Sequence, residues 1–206
     1  MNELDFSALL VSRVCHDLVS PLGAVVNGLE VLEDERDAAM RADALKIVAS
    51  SAAQALARIQ FMRIAFGAAG SAGAELDLGE IGRLVTGLFS GSKITLEWEA
   101  VSAHWPKDWA KLLMNATLLG ADCLPRGGTV KVRTSEVGAA PSFNIRATSP
   151  HARVLEEVEK AVRGDANSGQ PDARGVQPFL THKLARSLNA GLTMTASEGC
   201  VELAAG

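Results

Sequence analysis

The residues best suited to chemistry in this chain lie in one short string, Val14-Cys15-His16-Asp17-Leu18-Val19-Ser20-Pro21-Leu22. Histidine as a residue type is largely neutral in a neutral medium and keeps a lone pair on its ring. Such a ring can attack phosphorus and hold the phosphoryl group in a labile P–N bond, a covalent intermediate that can be passed on. Phosphoryl transfer needs mainly positioning and charge neutralisation. A rigid helix that presents His16 on an open face would meet that need.

The face can be read from helical periodicity. At about 100° per residue, His16 falls about 200° round from Val14 and so points away from the apolar stripe. Arg13, Ser20, Gly23 and Asn27 fall near the same face. Arg13, one turn earlier, is placed to neutralise a phosphoryl group on the ring, and Ser20, one turn later, offers a hydroxyl. Gly23 leaves room for an approaching protein, and Asn27 supplies a polar contact beyond it. Asp17 points about 100° away from His16. It is therefore expected to orient the ring through water, or to meet a partner's metal, and not to grip it directly. Pro21 removes one hydrogen bond of the helix and is expected to bend it locally. Cys15 is read as a small packing residue, since neighbours on a helix diverge.

The elements that position these residues are two helices. Val14, Leu18, Pro21, Val25, Leu29 and Leu32 recur at steps of three and four, which predicts a helix over 5–33. Leu45, Val48, Ala52, Ala55, Ile59, Met62 and Phe66 step alternately by three and four and predict a second, over 38–66. This is a coiled-coil-like heptad seam with small residues at its middle. The charged turn Glu33-Asp34-Glu35-Arg36-Asp37 makes the pair an antiparallel hairpin. One hairpin does not readily hide two stripes, so a homodimer with a four-helix bundle is expected; the alternative is cover from the second half of the same chain. Arg58 and Arg63, near the end of the second helix, come close to His16 in such a hairpin. Arg63 is set towards an incoming partner, with a solvated surface arginine as the competing reading.

Gly67-Ala68-Ala69-Gly70-Ser71-Ala72-Gly73 breaks the period and reads as a flexible linker, giving units at 1–70 and 71–206. Beyond it, helices are expected over 78–89, 109–123, 155–163 and 178–188, and strands over 93–99, 129–134 and 142–147. Residues 192–195 and 201–203 form a closing hairpin with Gly199 near its turn. The order implies an α+β fold with helices on one face of a mixed sheet.

Composition narrows the function classes. The 206 residues are 48% hydrophobic but only 4% aromatic, without tyrosine, so cores rest on aliphatic packing. A net charge of −4 gives no reason to expect nucleic acid or an anionic membrane as partner. No run of about 18 apolar residues is evident, and the start lacks the basic stretch of a signal peptide. Cys15, Cys123 and Cys200 are odd in number and scattered, against a disulfide framework. A soluble cytoplasmic protein is expected.

The string from Val14 to Leu22 resembles the phosphoacceptor motif of sensor histidine kinases: a His, an adjacent acid, and Pro-Leu five and six residues on. The hairpin over 5–66 looks like their dimerisation and histidine-phosphotransfer domain. The second half is similar to the kinase ATP-binding domain after loss of its site. Leu112-Leu113-Met114-Asn115-Ala116 matches the Asn-Ala part of the magnesium-holding motif, but Lys111 stands where that motif has an earlier Asn. Ala147-Thr148-Ser149-Pro150-His151 replaces the adenine-gripping Asp-x-Gly-x-Gly loop. Gly175-Val176-Gln177-Pro178-Phe179-Leu180-Thr181-His182 replaces the glycine-rich phosphate loop, removing the close backbone approach glycines permit. Asn115 is therefore expected to be a fold remnant or a hydrogen-bonding residue, not a magnesium ligand.

A kinase-like bundle joined to a degenerate nucleotide domain looks like the ChpT-type histidine phosphotransferases of alphaproteobacteria. The resemblance implies a dimeric four-helix bundle followed by a degenerate kinase-type ATPase-like α/β sandwich. It implies that the receiver domain of a hybrid histidine kinase phosphorylates His16, which then passes the group to downstream response regulators. No cofactor of its own follows, any Mg2+ belonging to the receiver. Two other readings stay open: an ATP-dependent histidine kinase with a divergent site, and a non-catalytic adaptor that docks receivers. His104, His151 and His182 lack metal-ligand spacing, and Trp98, Trp105 and Trp109 are assigned to the second core.

Overall fold

The computed structural model describes residues 2–67, 73–137, 140–164 and 175–206, the side chains of 136 and 137 excepted. Most of the glycine-rich linker, residues 68–72, lies outside them.

Helix α1 spans Glu3–Asp34 and α2 spans Ala38–Ala65. The connection is built by its charges. Glu35 Oε1 accepts from the amides of Arg36 and Asp37, and Asp37 then caps α2 by accepting from Ala39 and Met40. Arg41 Nη1 donates back to the carbonyls of Leu32 and Glu35, closing the turn. An N-cap of this kind is worth about 1 kcal/mol. Near the turn the helices approach closely at Gly28, where a Cβ would lie 2.6 Å from Val48 Cγ2.

The remaining elements are β1 (Glu75–Asp77), α3 (Leu78–Phe89), β2 (Ile94–Glu99), β3 (His104–Pro106), α4 (Lys107–Asp122), β4 (Gly128–Val137), β5 (Ala140–Thr148), α5 (Glu156–Arg163), α6 (Val176–Ser187), β6 (Thr193–Ser197) and β7 (Cys200–Ala205). A five-stranded sheet has the order β2-β4-β5-β7-β6, parallel only between β2 and β4. Strands β1 and β3 form a separate antiparallel pair that the sequence reading lacked. Three residues each are too few to show a period.

The sheet alternates as a half-buried sheet should. Val130, Val132, Ile145, Ala147, Val201 and Leu203 are buried under α4 with Leu112, Leu113 and Leu119. The opposite face carries ion pairs, Lys131 with Glu97 and Glu99, Arg133 with Glu99, and Arg146 with Glu202. Trp105 is fully buried and meets Trp109 edge-on, as their assignment to this core requires. Gly199 has φ 68° in the β6–β7 turn.

The hairpin is only partly covered by its own chain. Phe61, Met62 and Ala65 join the core of the second half. The predicted α2 seam divides: Ala55 and Met62 are buried, while Leu45 and Ile59 are exposed beside Leu56. Leu4, Val11, Leu22, Val26 and Leu29 form a second exposed strip along α1. Cys15 falls within that strip and is exposed, so within one chain it is not a packing residue. By length and composition alone α1 is apolar enough to cross a membrane, a property the residue-by-residue reading did not register. Its interrupting polar residues include Arg13, turned to Asp122 of α4, and the exposed His16, Ser20 and Asn27.

Candidate functional site

His16 stands on α1 with its side chain 76% exposed, as its helical angle requires. Ser20, Gly23 and Asn27 are exposed on the same face. A Cβ at Gly23 would meet nothing within 4 Å, so the face beyond the ring is open.

Asp17 departs from expectation. Its Oδ1 lies 3.2 Å from His16 Nδ1, a direct if long hydrogen bond. The carboxylate is only 18% exposed and is turned back towards the ring, while its Oδ2 accepts from Arg13 Nε at 2.8 Å. A residue about 100° away on the helix reaches its neighbour because a cation one turn earlier fixes where the carboxylate sits. With Nδ1–H donating to Asp17, the lone pair of the neutral ring is on Nε2, the outer nitrogen.

Arg13 is correspondingly not an open cation beside the ring. Its side chain is 15% exposed and also approaches Asp122 at the end of α4, 3.8 Å from Nη2. Both carboxylates hold its proton and keep its pKa above the ordinary value against the opposing effect of burial. Asp122 is shifted up, mainly by desolvation, with Arg13 pulling the other way and Asp17 adding to the rise. Arg13 thus ties α1 to the second half of the chain.

Arg58 lies close to His16, as the hairpin requires, in a role the sequence reading did not assign. Its Nη1 donates to the backbone carbonyl of Asp17 at 2.6 Å. In an uninterrupted helix that carbonyl would accept from residue 21, which is Pro21, buried and without an N–H. The signal was therefore present: a proline four residues after Asp17 leaves one acceptor open. Arg63, five residues further along α2, is exposed.

The family profile described as "Histidine phosphotransferase C-terminal domain" matches residues 78–199. The chain is 40% identical over 197 residues to "Protein phosphotransferase ChpT" of Brucella abortus (strain 2308), covering 96% of this chain and 93% of that one. A solved structure titled "1.7 Angstrom Structure of a Bacterial Phosphotransferase" superposes with a TM-score of 0.90 at 37% identity, over 100% of this chain and 98% of that one. The chain belongs to the ChpT-type histidine phosphotransferases.

In this histidine phosphotransferase, a phosphorelay protein by family, the residues that resemble nucleotide-binding motifs are engaged in packing and hydrogen bonds. Asn115 is fully buried and its Nδ2 donates to the carbonyls of Ala65 and Lys111, both at 2.9 Å. Gln177 Nε2 donates to the Asn115 carbonyl at 2.8 Å and lies 3.4 Å from Asn115 Oδ1. Val176, Gln177 and Pro178, at the start of α6, are buried where the resemblance places a phosphate loop. This arrangement does not fit a magnesium–nucleotide complex: Asn115 is fully buried, its Nδ2 bonds the last turn of α2 and its Oδ1 faces the Gln177 side-chain amide. Phe6 and Phe179 meet edge-on at 5.8 Å with Lys183 Nζ over both rings, a further tie from α1 to α6. Of the other histidines, His182 Nδ1 pairs with the Val162 carbonyl and His151 Nε2 with Arg126. Among the described residues, no group of three or more His, Cys, Asp or Glu is arranged to hold a metal.

Proposed function

We propose that His16 is the residue through which this phosphotransferase relays phosphoryl groups between receiver domains. The observation that carries the reading is the exposed imidazole whose Nδ1 meets Asp17 while Nε2 faces outward beside an open helix face. Nε2 attacks the phosphorus of a receiver's aspartyl phosphate. The P–N bond forms as the P–O bond breaks and the aspartate leaves as a carboxylate; the same steps run in reverse deliver the group to a second receiver. Imidazolium-like charge on the phosphorylated ring is balanced by the Asp17 carboxylate. Mg2+ belongs to the receiver's acidic pocket in this reading, and the chain brings no cofactor of its own.

The donor is a receiver domain of a hybrid histidine kinase and the acceptors are downstream response regulators, encountered in the cytoplasm. The receiver settles over Ser20, Gly23 and Asn27. Arg63 and the cationic cleft of Arg126, His151 and Arg153 border the same approach: the Arg153 amide bonds the Cys123 carbonyl, next to Asp122. Two copies pair along Leu4, Val11, Leu22, Val26 and Leu29 of α1 and Leu45, Leu56 and Ile59 of α2 to complete a four-helix bundle. Exposed leucine and valine at heptad-like spacing support this pairing.

The test is a transfer assay. Wild-type chain incubated with a phosphorylated receiver, without ATP, should acquire phosphate and His16→Ala should acquire none. Equal labelling of both would refute the assignment.

A further inference from the structure

The geometry points to Arg58 as a positioning residue for phosphoryl transfer, acting on His16 through Asp17; the inference rests on the relay reading above. Asp17 is held at two places. Its carboxylate lies between His16 Nδ1 and Arg13 Nε, and its backbone carbonyl is held by Arg58 Nη1 across the hairpin. The second contact exists because of Pro21. A proline inside a helix removes the amide that would satisfy the carbonyl four residues earlier, and its ring pushes that carbonyl outward. Here that carbonyl belongs to the residue that orients the reactive ring.

Arg58 does not occupy this place to satisfy its own donors, since its Nε is buried without a hydrogen-bond partner. A guanidinium reaching from α2 supplies a charge-assisted bond to the open acceptor and fixes the Asp17 peptide. The peptide orientation sets the direction of the Asp17 side chain, and the carboxylate sets the ring's tautomer and plane. Pro21 and Arg58 are thus one device: the proline opens the helix next to the phosphoacceptor and the arginine closes it from α2. The two helices of the hairpin thereby meet at the reactive residue through a specific bond as well as through apolar packing.

A double-variant cycle tests this. Arg58→Met should slow transfer from a phosphorylated receiver by about tenfold, less than the ~10²-fold typical of an ångström's misplacement. The half-saturating receiver concentration should stay unchanged. In 15N spectra of the full chain, the His16 ring should shift from one dominant tautomer towards a mixture. Pro21→Ala restores an amide at residue 21, so Arg58→Met should cost little in that background. An equal cost of Arg58→Met with and without Pro21, or an unchanged His16 tautomer, would overturn the proposal. An equal cost with raised half-saturation would show instead that Arg58 contacts the receiver. Were the wild-type chain to take up no phosphate, the relay reading would fail, and the tautomer measurement would still decide for or against Arg58 as the residue that orients the ring.

Discussion

The side-chain amide of Asn115 donates to the backbone carbonyl of Ala65 at 2.9 Å, joining α4 to the last turn of α2. This buried bond anchors the hairpin to its neighbouring layer. Together with Arg13–Asp122 and the Phe6–Phe179–Lys183 cluster, it makes three ties between the hairpin and the second half of the chain.

Asn115→Ala should therefore destabilise the fold by about 1–3 kcal/mol, because the buried Ala65 carbonyl and Gln177 amide lose a partner. Chemical denaturation read by circular dichroism measures this. Asn115→Asp should cost more, since it aims a carboxylate at two carbonyls in a buried site.

Asp17→Asn should leave the helix intact and slow phosphate uptake by about 10²-fold, the cost typical of a misplaced reacting group. Single-turnover transfer from a phosphorylated receiver gives the rate. A change in receiver affinity without a change in rate would place Asp17 in docking instead.

Leu22→Glu combined with Leu56→Glu should convert dimers to monomers, read by sedimentation, while the second domain keeps its thermal transition. Cys15 lies within the same strip, so its alkylation should accelerate when the dimer is broken. Cys123 should remain unreactive in either form: it is buried, and desolvation with the nearby Asp122 pushes its thiol up to about 12.

The pH dependence of stability should carry the signature of Asp122. Desolvation raises its pKa in the folded chain, so the folded state holds that proton more tightly than the unfolded state does. Its contribution is fully present below the ordinary carboxylate range and is lost as pH rises through the elevated folded value. Asp122→Asn should thus gain stability relative to wild type as pH rises above the ordinary carboxylate range. Melting temperatures at a series of pH values test the sign; a difference that shrinks with pH would contradict it.

Much of this architecture was legible in the chain because helices α1 to α6 and the main strands leave periodic or contiguous apolar signals. The hairpin could be read from steps of three and four ending in Glu33-Asp34-Glu35-Arg36-Asp37, and the exposed face of His16 from its angle to Val14. Strands β1 and β3 left no such trace. Period also could not divide the α2 seam: Met62 and Ile59 both belong to it, yet one packs on the second half and the other faces solvent. Side-chain commitments were the least legible. Arg13 turns from the open face because Asp122, distant in sequence, sits against its flank, and that juxtaposition exists only after α4 packs beside α1. Pro21 was the exception, a local residue that announced a vacancy at the Asp17 carbonyl which Arg58 fills.

In the proposed relay the outer nitrogen of the exposed His16 imidazole carries the phosphoryl group. The direct measurement is 31P spectroscopy of the chain after incubation with a phosphorylated receiver in the absence of ATP. An acid-labile phosphohistidine signal bonded to Nε2 of His16, absent from His16→Ala, is the expected result. Phosphorus on Nδ1, phosphorus on another residue, or a signal that appears only when ATP is added would contradict it.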